Sequence, residues 1–346
     1  MEKKYDILGI GNAIVDVLAY KDEAFLATNG LTKGGMTLVT LDEAEKVYRE
    51  MGAATECSGG SAANTLAGFS MLGGNAAFIG KVKKDQLGDI FRHDITSSGV
   101  KFVSEAAVEG APTAHCLIFV TKEESQFENV EKIERTMATY LGASVTISED
   151  DIDEELIKQS KIIYFEGYLW DSPSAKKAIE KAVKIAKENG VKVAFTLSDA
   201  LCVDRHRADF LAIIKEYVDI LFANEHEIEA LYQETDMRKI LYKVSAPCGD
   251  GGEPQANIEI VAITRSEKGS YVISGGSIYN IDAEKVENVY DVTGAGDLYA
   301  SGLLYGYVND LGFEKSGKLA SLCAAEVIKY IGARPATKLE LMLEKL

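Results

Sequence analysis

Between Lys161 and Ser274 the sequence keeps switching between two periods, and this alternation constrains the fold more than any other feature. KIIYFEG (Lys161–Gly167) is a short apolar run rich in β-branched and aromatic residues, which predicts a strand. SPSAKKAIEKAVKIAKENG follows, with Ser172 placed to cap a helix and Pro173 at its first position. Ala175, Ala178, Ile179, Ala182 and Ile185 make one apolar stripe, and Gly190 stands where the helix should stop. VKVAFTL (Val191–Leu197) predicts the next strand, followed by a helix from about Arg205 to Tyr217. DILFAN (Asp219–Asn224) is another strand, EHEIEALY opens another helix, and VAIT (Val261–Thr264) and YVIS (Tyr271–Ser274) are strands again. Strands that alternate with helices form a mostly parallel sheet, because each crossover helix packs back onto one face and covers it. The expectation is an α/β fold with the sheet covered on both faces, and 346 residues suffice for one large domain with an appendage or for two modest domains.

Two segments break the rhythm. Residues 15–56 and 111–148 read as isolated strands with charged loops, for example MTLVT (Met36–Thr40) and AHCLIFVT (Ala114–Thr121). Discontinuous in sequence but alike in character, they predict a small β-sheet lid over the main domain. KEESQFENVEKIER (Lys122–Arg135) predicts a long mobile turn within that lid, and SAPCGDGGEPQAN (Ser245–Asn257) a surface loop.

Charge narrows the partners. Lys and Arg number 37 against 54 Asp and Glu, a net charge of -17. Nucleic acid and anionic membranes are repelled at long range, so any anionic ligand must be held by local donors. The five cysteines form no CxxC pair and the four histidines no metal-binding spacing, which argues for a reducing compartment and against a zinc site. The opening MEKKYDILGIGNAIVDVL is interrupted by Asp6, Asn12 and Asp16, so it predicts a first strand and not a signal peptide. No segment is apolar for long enough to span a membrane. A cytoplasmic monomer or homodimer acting on a small molecule is the expectation.

Two glycine-rich stretches fail as nucleotide motifs. GIGNAI (Gly9–Ile14) lacks the third glycine of a dinucleotide-binding turn, and GGNAAFIGKV has Asn75 and Val82 where a P-loop needs Gly and Ser/Thr. The third, YDVTGAGDLYASG (Tyr290–Gly302), is different. Gly294, Ala295 and Gly296 precede an apolar helix, whose first turn leaves backbone N–H groups unpaired and carries positive partial charge. Glycines let an anion reach those amides, which makes an anion hole without lysine. Asp297, in the first helical turn, is kept ionised by the dipole and can accept a proton from an alcohol as it attacks phosphorus. The plainer reading, that Asp297 only offsets the helix dipole, suits a lone acid better than it suits DVTGAGD.

DVTGAGD resembles the C-terminal signature of the ribokinase (PfkB) family of sugar and nucleoside kinases. SGGSAANTLAGFSMLGG (Ser58–Gly74) and GKVKKDQLGDIF (Gly80–Phe91) are similar to its N-terminal signature and continuation, and ANEHE and TRSEKG to its nucleotide-side motifs. GNAIVD (Gly11–Asp16), ERTMATYLGAS, FEGYLWDSP and LSDALCVDRHR resemble a bacterial adenosine-kinase-like branch. The resemblance implies a ribokinase-like fold, a three-layer α/β/α sandwich forming a single domain over residues 1–346 with the small discontinuous β-sheet lid, and ATP and Mg2+ as cofactors. It implies that Asp16 takes sugar hydroxyls, that Gly59 and Gly60 let backbone approach the sugar, and that Asn64 bonds it with both amide ends. Asn12 would donate and accept at a nucleoside, and Arg135 would reach the phosphates from the lid; taken alone, Arg135 beside Glu131 and Glu134 reads as a solvated salt bridge. Asn224 and Glu227 would organise Mg2+, mainly through water, although they also read as a helix-capping pair. Thr264, Arg265, Gly269 and Thr293 would line the ATP site. Asp291 and Val292, with the Ile331–Arg334 turn, would form a monovalent-cation site for K+. The implied reaction is transfer of the γ-phosphoryl group of ATP to a primary hydroxyl, with adenosine as acceptor. The alternatives are a free-sugar kinase for ribose, fructose or a related sugar, a Rossmann oxidoreductase, which the broken glycine motif disfavours, and a silent nucleoside sensor, which Asp297 disfavours.

Overall fold

The computed structural model describes residues 3–124, 131–245 and 258–346. Strand β1 (Tyr5–Ile10) is followed by β2 (Ile14–Tyr20), helix α1 (Glu23–Thr28), β3 (Met36–Leu38), α2 (Leu41–Met51) and β4 (Thr55–Gly59). Then come α3 (Ser61–Met71), β5 (Ala76–Ile79), α4 (Gln86–Ser97), β6 (Lys101–Phe102), β7 (Ala114–Glu124) and β8 (Glu131–Tyr140). The alternating half runs α5 (Glu154–Lys158), β9 (Ser160–Glu166), α6 (Pro173–Glu188), β10 (Lys192–Thr196), α7 (Ala200–Tyr217) and β11 (Ile220–Asn224). It closes with α8 (Glu225–Tyr232), α9 (Met237–Ser245), β12 (Ile260–Thr264), β13 (Ser270–Ser274), β14 (Ser277–Ile281), α10 (Ala295–Val308) and α11 (Phe313–Val327).

Two sheets result. The larger has the order β14-β13-β12-β11-β10-β9-β1-β5-β6, parallel from β12 to β6 and antiparallel at the β13 and β14 edge. The central residues of its parallel strands are apolar and buried on both faces, with polar residues kept to the strand ends. Ile162 and Tyr164 of β9 join one core with Phe69, Leu303 and Ala320 of α3, α10 and α11. Ile163 and Phe165 join the opposite core with Ile179, Phe210 and Ile228 of α6, α7 and α8. One strand thus feeds two cores through its period of two.

The smaller sheet has the order β3-β8-β7-β2-β4. Its strands come from both segments that interrupt the alternation. These segments are not strand and loop alone. Residues 15–56 also contain α1, capped by Asp22, and α2, whose Thr40 and Glu43 form a capping box. Helix α7 also begins earlier than predicted, at Ala200 under the cap of Asp199, because the chain stays helical up to a kink at His206 (φ -118°). The centre of the charged 122–135 stretch and residues 246–257 of the predicted loop lie outside the described residues. Among the described residues no helix is long and apolar enough to cross a membrane.

The chain crosses between the sheets after β1, after β4, between β6 and β7, and after β8. The first crossing, Gly11–Ala13, carries Asn12, and the second opens at Gly60 into α3, whose Ser61 and Asn64 bond Asp297 of α10.

Candidate active site

Gly294 sits just ahead of α10 in the left-handed conformation (φ 77°, ψ -2°), and a Cβ there would lie 2.8 Å from Cα of Ala333. Glycine is therefore required for the turn. The Ala295 N–H closes onto the Val292 carbonyl (3.2 Å), while those of Gly296 and Asp297 make no backbone bond outside the helix among the described residues. Gly296 has nothing within 4 Å of its side-chain position, so the mouth of the turn is open.

Two side chains of α3 grip Asp297. Ser61 Oγ donates to its Oδ1 (2.7 Å) and Asn64 Nδ2 to its Oδ2 (3.0 Å). Burial pushes the Asp297 carboxyl up to about 6, while Ser61, Asn64 and the charge of Arg334 pull the other way. Desolvation is the largest influence on this carboxyl, so the helix dipole expected to keep it ionised works against its burial. The result suits a base working near neutral pH.

On the acceptor side, Asp16 of β2 is buried and its carboxyl is also pushed up to about 6 by burial, against the pull of Arg135 and Arg334. A Cβ on Gly59 would lie 2.5 Å from that carboxylate, and one on Gly60 (φ 95°) would lie 2.2 Å from the Asn12 carbonyl oxygen. Asn12 donates twice to Glu166 Oε1, from its backbone N–H (2.9 Å) and from Nδ2 (2.8 Å). The Ala62 N–H donates to Glu166 Oε2 (2.7 Å). Burial raises the Glu166 carboxyl to about 7. The buried Oδ1 atoms of Asn12 and Asn64 have no partner among the described residues. Both amides were expected to bond the acceptor through nitrogen and oxygen alike. Each nitrogen commits one N–H, to Glu166 or to Asp297, which leaves each amide its oxygen and its second N–H.

Arg135 extends from β8 of the smaller sheet to the loop before α10. Its NH1 donates to Asp291 Oδ1 (2.8 Å) and contacts Thr293 Oγ1. Asp291 also accepts the Thr293 N–H (2.9 Å) and, through Oδ2, the Gly332 N–H (2.7 Å). Arg135 therefore forms a buried pair and not a solvated surface one, and its guanidinium lies against Asp291, the acid expected to help hold a monovalent cation. Arg334, from the same C-terminal turn, enters the site itself.

The nucleotide-side residues stand at the ends of β11 and β12. Asn224 and Glu227 form a full capping box: Asn224 Oδ1 accepts the Glu227 N–H (2.9 Å), and both Glu227 oxygens accept from Asn224 (2.6 and 2.9 Å). Burial raises the Glu227 carboxyl to about 7. Thr264 ends β12 in register with Asn224. Arg265 is spent on its own turn, with its guanidinium 3.8 Å from the Tyr271 ring centre and bonded to the Lys268 carbonyl (2.9 Å) and Asn280 Oδ1 (3.2 Å). Its backbone N–H donates to the Gly269 carbonyl (2.8 Å).

Residues 25–339 match the family described as pfkB family carbohydrate kinase. The chain belongs to that family. The kinase is similar to the adenosine kinase of Sinorhizobium meliloti, with 45% identity over 99% of both chains and a TM-score of 0.86. It is similar to a probable sugar kinase of Rhizobium etli CFN 42, with 43% identity over 99% of this chain and 98% of that one and a TM-score of 0.87. A relative named 5-dehydro-2-deoxygluconokinase, from Halalkalibacterium halodurans, is 25% identical over 99% of this chain and 96% of its own length. The fold is thus ribokinase-like, and the protein is a kinase of a sugar or a nucleoside that uses ATP.

Three site residues of the kinase escaped the sequence reading. Ser61 and Glu166 were quoted within motifs but given no role, and Arg334 appeared only as the end of a turn. Glu166 did carry a signal, as an acid closing the otherwise apolar run KIIYFEG. Ser61 and Arg334 carried none, since their partners are remote in the chain.

Proposed function

We propose that this kinase transfers the γ-phosphoryl group of ATP to the 5′-hydroxyl of adenosine. Asp297 accepts the hydroxyl proton as the new O–P bond forms and the bond between the γ-phosphorus and the ADP oxygen breaks. Ser61 and Asn64 fix the direction of its carboxylate. The open first-turn amides of Gly296 and Asp297 hold the transferred group's oxygens, where preorganised donors count most in a dry site. Asp16 accepts from the ribose hydroxyls. Asn12, fixed by Glu166, offers Oδ1 as an acceptor. Glu227 is buried with a raised carboxyl and both oxygens on Asn224, so it fits Mg2+ through water and not as a direct ligand. Bound Mg2+ would neutralise phosphate charge. Arg135 reaches the same phosphates when it turns from Asp291, and the smaller sheet acts as the lid. The turn from Thr264 to Gly269 offers the nucleotide its backbone, since Arg265 is engaged elsewhere.

The observation that carries the acceptor assignment is the 45% identity, over nearly the full length of both chains, with an adenosine kinase. A sugar acceptor is the second reading, favoured by the 43% identical probable sugar kinase and by the 25% identical relative named 5-dehydro-2-deoxygluconokinase. Steady-state turnover with ATP·Mg2+ and adenosine, ribose, fructose or 5-dehydro-2-deoxygluconate separates them. A polar site left unpaired by the wrong acceptor discriminates strongly, so kcat/KM for adenosine should exceed that for ribose by on the order of a hundredfold or more. Preference for any of the sugars would replace the nucleoside reading.

A further inference from the structure

Arg334 lies inside the site, yet phosphoryl transfer as read above gives it no task. Its NH1 donates to the carbonyls of Ala63 (3.1 Å) and Asn64 (3.5 Å), and its NH2 to the carbonyl (3.2 Å) and Oγ (2.8 Å) of Ser58. Its Nε is buried with no partner among the described residues. Ser58 in turn donates through N–H and Oγ to Asp94 Oδ2 on α4 (2.8 and 2.5 Å). The guanidinium therefore clips both ends of the Ser58–Asn64 turn, which carries Gly59, Gly60, Ser61 and Asn64.

A buried guanidinium with no ion-pair partner is costly, so the surrounding field must offset the cost. Burial depresses its ionisation, while Asp94 of α4, Cys57 of β4, Asp16 of β2 and Asp297 of α10 all favour its charged form. The effect is mutual. Arg334 and Arg135 oppose the burial that neutralises Asp16, while Asp297 and Asp291 work with that burial. At Asp297 the opposing charge is that of Arg334. Glu166 and Tyr164 of β9 and Glu227 of α8 share the field of Asp297. Against these acids stand two guanidiniums, and that of Arg135 is already committed to Asp291.

We propose that Arg334 is a positioning residue of phosphoryl transfer: it clips the Ser58–Asn64 turn onto the catalytic carboxylate and supplies the uncommitted positive charge that Asp16 and Asp297 share. The proposal rests on the phosphotransfer reading, but its test does not require turnover. Protein labelled with 13Cγ-aspartate is titrated without substrate, the Asp297 signal being assigned by its loss in Asp297→Asn. In Arg334→Gln that signal should titrate about one pH unit or more higher than in the wild type, because a nearby positive charge favours the ionised carboxylate. Arg334→Lys keeps the charge and should restore the wild-type titration while turnover stays low, since an ammonium cannot reproduce the fork of bonds. In kinetics, the loss caused by Arg334→Gln should be about fivefold or more larger at pH 6 than at pH 8.5. An unmoved Asp297 titration in Arg334→Gln, or a rate loss equal at both pH values, would overturn the proposal and leave a purely structural clip. Should Arg334→Gln fail to fold, Arg334→Lys decides: a raised Asp297 titration there would equally overturn it. A wild type without kinase turnover would sink the functional reading separately, with the titration still interpretable.

Discussion

Asp297 works through what surrounds it. Its carboxylate is oriented by two donors from α3, its ionisation is opposed by burial, and the amides beside it face open space. Asp297→Asn keeps the shape and removes the base. General-base catalysis contributes roughly 10²–10⁴-fold, so kcat should fall at least about a hundredfold with KM little changed. In the wild type the rate should decline as pH drops through about 6, where this carboxyl gains its proton, and the decline should vanish in the variant. Near-normal turnover by Asp297→Asn would remove it from the mechanism. At this scale the acid, the glycines and both asparagines were legible, because glycine turns and acid positions are local patterns. Their partners were not. Ser61 lies 236 residues from Asp297, and Glu166 lies 154 from Asn12. Only the folded chain joins them, and those joins decide which amide atoms remain for a substrate.

The turn before α10 makes different demands on its two glycines. Gly294 has a positive φ and no room beside Ala333, whereas Gly296 has neither constraint. Gly294→Ala should cost about 1–2 kcal/mol from the left-handed backbone and roughly 1–3 kcal/mol more from overlap, lowering Tm and displacing the anion hole. Gly296→Ala should be close to neutral in Tm. Thermal melts and kcat/KM for ATP on both variants check this; equal effects would show that the turn is not shaped as described. Element by element, the alternation from β9 to β13 was readable because strands covered on both faces are apolar through their centres and the helices between them carry one stripe. Helix α2 was missed although Thr40 and Glu43 announce it, because the segment's charged face was taken for loop. Helix α7 was started late because the chain bends at His206.

At the scale of the molecule, residues 15–56 and 111–148 join in one sheet standing apart from the nine-stranded one. That such segments pair with each other is suggested by their shared character, but the order β3-β8-β7-β2-β4 depends on pairings between remote strands and could not be read in advance. The smaller sheet carries Asp16 and Arg135, while Asp297, Asn64 and Arg334 belong to the other body. Closure over the acceptor should therefore slow hydrogen exchange in β2 and β7, measured with and without saturating adenosine. Unchanged protection there would exclude closure. The four crossings are fastened in pairs. Gly60 sits against the Asn12 carbonyl oxygen, and Gly142, just past β8, sits against the Pro112 carbonyl oxygen, which also accepts the Ala143 N–H (2.8 Å). Two fastenings define a line, and a plate held along a line can rock but neither slide nor swivel. We expect the smaller sheet to swing on these two contacts like a door on two pins, so exchange at Gly60 and Gly142 should keep its rate while the panel moves. Grip on the acceptor and aim of the guanidinium would then be set by the same angle.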